Sequence, residues 1–126
     1  MRKSKSELTE KEEEIMHMLW QHGPQFVKEL VERYPDPKPH FNTVSTFIRI
    51  LEKKGHVAHE AIGTGYRYYA VSKLEDMRRR TFGSFVKNYF NNSYLGVVSN
   101  LVEEEKISAE ELKELLDLVE KRSKKE

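Results

Sequence analysis

The chain of 126 residues contains no cysteine, no long apolar run and almost no net charge, +1 at pH 7. Without cysteine it forms no disulfide, thiolate metal site or thiol nucleophile, which suits a reducing compartment. No apolar run approaches ~18 residues, the length that crosses a bilayer, and the charged first residues lead into no signal-peptide core. We therefore predict a cytoplasmic protein without direct membrane binding.

The chain also lacks the usual signatures of an enzyme or a metalloprotein. It has no glycine-rich phosphate loop and no arrangement of serine, histidine and aspartate beyond what composition produces. Of its histidines, His56 and His59 are three apart on a predicted strand and point to opposite faces. His17 and His22 are five apart on a predicted helix, a poor spacing for ligands of one metal. We predict no catalytic activity, no metal and no cofactor.

What the first 40 residues do contain is the pattern of two short helices. Thr9 followed by Glu12 is a capping box, which marks the start of a first helix. Gly23 can adopt the left-handed conformation that ends a helix. A second helix is predicted over residues 25–34, and three prolines within residues 35–40 prevent its continuation.

Residues 42–55 form the third predicted helix, and its two faces differ in chemistry. The apolar stripe consists of Val44, Phe47, Ile48 and Leu51. The opposite face consists of Asn42, Ser45, Thr46, Arg49 and Lys53. Because this polar face has short hydrogen-bonding groups and two cations but no carboxylate, it suits phosphates and base edges. The alternative is a solvated face that happens to lack acids.

Residues 56–71 predict a β-hairpin, with Gly63-Thr64-Gly65 as its turn. Three short helices followed by a hairpin indicate a winged helix-turn-helix, in which the last helix enters the major groove of DNA. Residues 38–67 contain five lysines and arginines but only two glutamates, a local charge of +3 expected of a nucleic-acid binder. The predicted fold class is mostly α with a small β-hairpin.

The region after residue 71 predicts helices with large apolar stripes. Capping boxes at Ser72 with Glu75 and at Ser108 with Glu111 start two of them, and Asn91-Asn92-Ser93 indicates a break. Because this segment is too short to bury its stripes internally, we predict a homodimerisation domain over 72–126, following a DNA-binding domain over 1–71. The alternative is a monomer in which the segment folds back. The predicted interface residues are Phe82, Phe85, Val86, Tyr89, Tyr94, Val98, Leu101, Leu112, Leu115, Leu116 and Val119.

The function predicted from these residues is a homodimeric protein that binds specific sequences of double-stranded DNA. The predicted base contacts in the major groove are Thr43, Ser45, Thr46 and Arg49. The predicted phosphate contacts are Asn42, Lys53, Lys54 and Arg67, and Thr64 at the hairpin tip also reaches phosphate or the minor groove. Two alternatives remain: a winged-helix module that binds proteins, and a winged-helix regulator that responds to a small molecule.

Several segments together resemble the penicillinase-repressor family, the BlaI/MecI/CopY group of bacterial transcriptional repressors. The matching segments are residues 8–10, 15–20, 43–57, 66–71 and 97–115. The resemblance implies a dimer on a palindromic operator. In antibiotic-resistance members it also implies inactivation by cleavage, triggered by a membrane-bound sensor metalloprotease. The matching bond here is Asn100–Leu101, the candidate cleavage site.

The chain departs from the family pattern at three points. Leu101 replaces the aromatic residue after the cleaved bond. Ser45 stands where the family often has arginine in the third helix, so the resemblance implies a different operator sequence. The absence of cysteine excludes the sensing mechanism of the copper-responsive branch.

Overall fold

The computed structural model describes residues 8–125, and the chain divides into two compact units between Thr81 and Phe82. The elements of the first unit are α1 (Glu10–His22), β1 (Gln25–Phe26), α2 (Val27–Arg33), α3 (Phe41–Lys53), β2 (Val57–Ile62) and β3 (Gly65–Ala70). They are followed by α4 (Leu74–Tyr89), α5 (Tyr94–Glu103) and α6 (Ala109–Lys125). Helices with one small antiparallel sheet confirm the predicted fold class. The division lies within α4, and a DNA-binding domain over 1–71 followed by a dimerisation domain over 72–126 stays a prediction.

Helix α1 begins and ends where the sequence predicts. The Glu12 amide donates to Thr9 Oγ1 at 3.2 Å, and the Thr9 amide donates to Glu12 Oε1 at 2.9 Å. Both halves of the capping box are therefore formed, and they satisfy two amides that the helix itself leaves unpaired. At the other end Gly23 has a φ of +79°, and its amide donates to Leu19.

The prediction of a helix over residues 25–34 is wrong at its start. Gln25 and Phe26 are extended and form β1, which pairs with Tyr68 and Arg67 of β3. Helix α2 begins only at Val27. The Gln25 side chain is buried, and its Nε2 donates to the carbonyls of Met18 and Gly23 at 3.1 and 3.2 Å. Pairing with residues 41 and 43 positions later in the chain thus overrides the local helical pattern.

The hairpin and α3 close the core of the first unit. The sheet order is β1-β3-β2, and β2 pairs with β3 from Val57↔Ala70 to Ile62↔Gly65. Helix α3 buries the apolar stripe predicted for it: Val44, Ile48 and Leu51 are fully covered, and Phe47 packs at the edge. These side chains meet Ile15, Met16 and Leu19 of α1 and Leu30 of α2. Because the three helices and the sheet share one core, the exposed side of α3 is held in a fixed orientation to the hairpin.

Helix α4 begins one residue later than a Ser72 cap predicts. The Met77 amide donates to the Lys73 carbonyl, so Lys73 occupies the N-cap position. Ser72 is engaged elsewhere: its hydroxyl lies 2.7 Å from His56 Nδ1, and its carbonyl accepts from Trp20 Nε1 at 2.7 Å. These contacts hold Ser72, which follows the hairpin, against Trp20 of α1 and against His56.

The second unit contains the predicted break and the predicted third capping box. Asn91 and Asn92 have φ of 50° and 63°, a left-handed conformation that asparagine tolerates and that stops α4. Before α6 the Glu111 amide donates to Ser108 Oγ at 3.1 Å, and the Ser108 amide donates to Glu111 Oε1 at 2.9 Å. None of the helices within residues 8–125 is both long and apolar enough to span a bilayer.

Candidate nucleic-acid interface

The outer face of α3 presents most of the predicted DNA-binding side chains to solvent. Asn42, Thr43, Thr46, Arg49 and Lys53 are all exposed. The opposite side of the helix is anchored by the buried stripe, so these groups project from a rigid support. Thr46 Oγ1 donates to the Asn42 carbonyl at 2.9 Å, which orients the hydroxyl oxygen as an acceptor on the outer face.

Two residues predicted to contact DNA, Ser45 and Lys54, are largely covered rather than exposed on the outer face of α3. Ser45 is only 8% exposed and lies beside the hairpin rather than on the outer face of α3. Lys54 is half-buried, and its Nζ lies 2.7 Å from Glu12 Oε1, which is itself in the core. Both therefore contribute to the packing of the first unit, and their roles in DNA binding stay predictions.

The hairpin carries two predicted DNA contacts, of which Thr64 is exposed and Arg67 is half-buried. Thr64 is exposed in the turn, where Gly63 has a φ of +62°. Arg67 lies on β3 opposite Glu60 of β2, and its Nε donates to Glu60 Oε1 at 3.1 Å. This is a surface ion pair, worth about 0–1 kcal/mol, so a phosphate competes readily for the guanidinium.

A cleft of about 420 Å³ separates α3 from the hairpin. Ser45 and Arg49 line one side, and Thr64, Tyr66 and Tyr68 line the other. Burial raises the pKa of Tyr68, and the charge of the nearby Arg49 guanidinium opposes that rise. Arg49 is exposed on α3 and also lines the cleft, so it belongs both to the outer face of this helix and to the opening.

Sequence reasoning missed three residues of the cleft. Lys28 from α2 lines it and is exposed. Phe41, the first residue of α3, and Tyr66 of β3 also line it, and their side chains are 51% and 54% exposed. The sequence does contain a signal for Phe41, because it is an aromatic residue at the start of the predicted recognition helix. Lys28 gave no such signal, because the pairing of β1 with β3 decides which side chains of α2 approach the hairpin.

The predicted dimer residues differ in how far the single chain covers them. Val86 is fully buried, and Val98 and Leu112 are half-buried. The other predicted residues remain exposed: Phe82, Phe85, Tyr89, Tyr94, Leu101, Leu115, Leu116 and Val119. Sequence reasoning missed further apolar side chains of this kind on α5 and α6: Leu95, Val102 and Leu118. Whether a partner covers them stays a prediction.

The bond predicted as a cleavage site lies within α5. Asn100 is half-buried and Leu101 is 36% exposed. The Asn100 carbonyl accepts from the Glu104 amide at 3.0 Å and the Leu101 carbonyl accepts from the Lys106 amide at 2.8 Å. The bond is therefore held in hydrogen-bonded helix, and its cleavage stays a prediction.

In the part of the chain that the structure describes, no group of three or more histidine, aspartate or glutamate side chains is arranged to hold a metal ion. The chemistry of the face between α3 and the hairpin is that of hydroxyls, amides and cations. Such groups form hydrogen bonds and ion pairs with an anionic partner.

Comparison with known proteins finds a family model, relatives and a solved structure that are similar to this chain. The family model of the penicillinase repressor matches residues 8–121. The methicillin resistance regulatory protein MecI of Staphylococcus aureus is 25% identical over 117 residues, which cover 92% of this chain and 95% of the relative. The penicillinase repressor of Bacillus licheniformis is 28% identical over 127 residues, with coverages of 95% and 96%. A solved structure described as a possible transcriptional regulator for arsenical resistance covers 61% of this chain and 77% of its own, with 23% identity and a TM-score of 0.49.

The relatives are named as repressors and regulators, which confirms the predicted class of regulatory protein rather than enzyme. The family match spans both structural units, so it includes the winged helix and the helices after it. The resemblance seen in the sequence is thus confirmed: this chain belongs to the penicillinase repressor family.

Proposed function

We propose that this protein is a transcriptional repressor that binds an inverted-repeat operator as a homodimer in the cytoplasm. The observation that carries the proposal is the outer face of α3, where Asn42, Thr43, Thr46, Arg49 and Lys53 are exposed on a helix anchored by its buried stripe. A rigid, acid-free helix face beside a hairpin has the shape and charge for the major groove.

The exposed groups divide into two kinds of contact. Thr43, Thr46 and Arg49 are exposed and carry hydrogen-bonding groups that suit base edges, and each good base contact is worth about 1–3 kcal/mol of discrimination. Asn42 and Lys53 position the helix through phosphates, which affect affinity for all sequences alike. Arg67 and Thr64 extend these contacts from the hairpin.

The experiment is a selection of bound duplexes from a random pool, followed by measurement of affinity at several salt concentrations. The proposal expects an inverted repeat whose half-sites lie one or two helical turns apart. Arg49→Ala should relax sequence choice at one position of each half-site. Lys53→Ala should weaken binding to all duplexes alike and reduce the salt slope by about 1. Lys113→Ala, which removes an exposed cation from α6, is the matched control and should change neither property.

The result that contradicts DNA recognition is the absence of any enriched sequence together with negligible binding at low salt. That result favours a module that binds proteins. Enrichment that is identical for the wild type and Arg49→Ala removes the base-contact role from Arg49 but leaves the repressor proposal intact.

The homodimer is supported by the apolar side chains that the single chain leaves exposed. Leu115, Leu116, Leu118 and Val119 leave apolar surface exposed on α6, since their side chains are 46–60% exposed. A surface of this kind usually marks an interface, and a two-fold partner covers it with the same residues. Leu115→Asp should produce monomers by sedimentation equilibrium, with loss of operator affinity. Lys113→Asp changes charge on the same helix without removing an apolar group, so its mass should stay that of the dimer.

We further propose that cleavage at Asn100–Leu101 inactivates the repressor, with a membrane-bound sensor metalloprotease as partner. Because the bond lies within α5, it reaches a protease only when this helix opens, and cleavage follows the population of the open form. Incubation with a co-encoded membrane metalloprotease and mass spectrometry of the fragments tests this. If the fragments end at another bond, or if no fragments form, cleavage at Asn100–Leu101 is removed from the proposal. The DNA-binding role then still stands.

A further inference from the structure

We infer that the cleft between α3 and the hairpin is a binding site for the sugar–phosphate ridge of DNA, with Lys28 as a phosphate ligand and Phe41 and Tyr66 as packing surfaces for deoxyribose. The inference rests on the proposed function, and it assigns roles to three residues outside the predicted recognition set. The cleft is part of the first unit alone, so the arrangement holds within one subunit.

The position of the cleft follows from groove geometry. When α3 enters the major groove and the tip of the hairpin enters the neighbouring minor groove, the backbone that separates the two grooves must pass between them. The space between α3 and the hairpin is the cleft of about 420 Å³, with Ser45 on its α3 side. Because Ser45 is small, the cleft remains open at this point.

The charge of the cleft suits a phosphate. Lys28 and Arg49 line it from two different helices, and none of its lining residues within the described part of the chain is acidic. The nearby Glu52 carboxylate of α3, whose charge acts on Tyr68, is engaged with His59 at 2.6 Å. A phosphate in the cleft therefore meets two cations without a competing acid in the lining.

The rings of the cleft suit the sugar next to that phosphate. Phe41 and Tyr66 are 51% and 54% exposed, although both are large and apolar over most of their surface. The carbon face of deoxyribose covers such rings and removes apolar surface from water. Phe26 completes the wall: its ring lies next to Gly65, where an added Cβ would be only 3.4 Å away.

The pairing of β1 with β3 keeps this wall in place. Phe26 is opposite Arg67 in the sheet, and α2 with Lys28 follows directly after β1. Strand pairing therefore sets the distance from Lys28 to the hairpin. A free loop at residues 25–28 would leave the lysine without a defined direction.

The test uses the selected operator and full-length protein, with affinity measured from 50 to 300 mM salt. Lys28→Ala should lower the salt slope by about 0.9, the value for one phosphate contact, and should weaken operator and random duplex alike. Phe41→Ala and Tyr66→Ala should each weaken binding about fivefold, from the lost apolar contact, and leave the salt slope unchanged. Lys113→Ala is the control cation and should match the wild type.

A second measurement identifies the phosphate directly. Operators are prepared with one phosphate at a time replaced by a neutral methylphosphonate. The wild type should lose affinity at the phosphates it contacts, and Lys28→Ala should become insensitive at one of these positions in each half-site. Lys28→Gln, which keeps the side-chain length, should give the same pattern and separates charge from any effect on folding.

The outcomes distinguish this inference from the proposed function. If the wild type enriches no sequence, the repressor proposal fails, and the inference fails with it. If the wild type selects an operator but Lys28→Ala retains the full salt slope and the wild-type methylphosphonate pattern, the cleft does not hold the ridge and the repressor proposal stands. Unchanged affinity of both Phe41→Ala and Tyr66→Ala removes the deoxyribose contact.

Discussion

Replacing Lys54 by methionine tests the contact that joins the end of α3 to the start of α1. Lys54 Nζ lies 2.7 Å from Glu12 Oε1, and the two side chains are 22% and 3% exposed. Methionine retains most of the apolar stem but removes the ammonium group. The Glu12 carboxylate then keeps the Thr9 amide as a donor and loses its ion-pair partner.

The expected loss is about 2 kcal/mol in the free energy of unfolding at pH 7. Removing one partner of a fully buried pair costs about 3–5 kcal/mol, because the remaining charge is uncompensated. The cost is smaller here, since Lys54 is about one-fifth exposed and Thr9 continues to donate to the carboxylate. For a unit of this size a loss of about 2 kcal/mol lowers the melting temperature by about 10 °C.

The pH dependence gives a second, independent signature. Burial raises the pKa of Glu12, but the hydrogen bond and charge of Lys54 and the Thr9 amide outweigh it, so the pKa lies below the ordinary value of 4.5. A carboxyl with a lowered folded-state pKa stabilises the protein above its unfolded-state pKa, and this stabilisation is lost as pH falls through the folded-state pKa. In the Lys54→Met variant only Thr9 still opposes the effect of burial on the Glu12 pKa, so this pKa rises. The difference in the free energy of unfolding between wild type and Lys54→Met should therefore be largest at neutral pH and shrink below pH 4.5.

The assay is urea denaturation followed by the fluorescence of Trp20, the one tryptophan of the chain. Its Nε1 donates to the Ser72 carbonyl at 2.7 Å, so it reports on the packing of the first unit. Lys53→Met is the matched control, because this neighbouring lysine is exposed, and it should change stability by less than about 0.5 kcal/mol. Equal stability of wild type and Lys54→Met at pH 7, or a difference that is the same at pH 3, would refute the argument.

Three further substitutions test the fold. Ile48→Ala leaves a cavity under α3 and should cost about 3 kcal/mol in urea denaturation, since Ile48 is fully buried; a cost below 1 kcal/mol argues against its place in the core. Ser108→Ala removes the cap of α6 and should cost about 1 kcal/mol, with lower helical circular dichroism; unchanged stability and helicity contradict the cap. Gly63→Ala places a Cβ at a φ of +62° and should cost about 1–2 kcal/mol, so an unchanged melting temperature is inconsistent with this turn.

The features that sequence reasoning predicted correctly depend on residues three or four apart. The capping boxes of α1 and α6 are contacts between positions i and i+3, and both are formed. The apolar stripe of α3 is a helical repeat, and its residues are buried. The turn at Gly63-Thr64 follows from the backbone freedom of glycine. Such features are local, so their pattern is present in a short stretch of sequence.

The features that only the tertiary structure decided join residues far apart in the chain. Gln25 and Phe26 form a strand because they pair with β3, 43 and 41 residues later. Lys54 pairs with Glu12 across 42 residues, a contact that the local sequence does not indicate, and its role in DNA binding stays a prediction. Ser45 lies on the polar side of the helical pattern but is covered, because the hairpin lies beside it.

The candidate interface combines both kinds of information. Periodicity by itself identified α3 and its exposed residues Asn42, Thr46, Arg49 and Lys53, because the burial of one helix face determines which side chains remain outside. The cleft with Lys28, Phe41 and Tyr66 is formed by α2, α3 and β3, which are separate in sequence. Its shape depends on how the shared core sets the distances between these elements, and no local pattern encodes those distances.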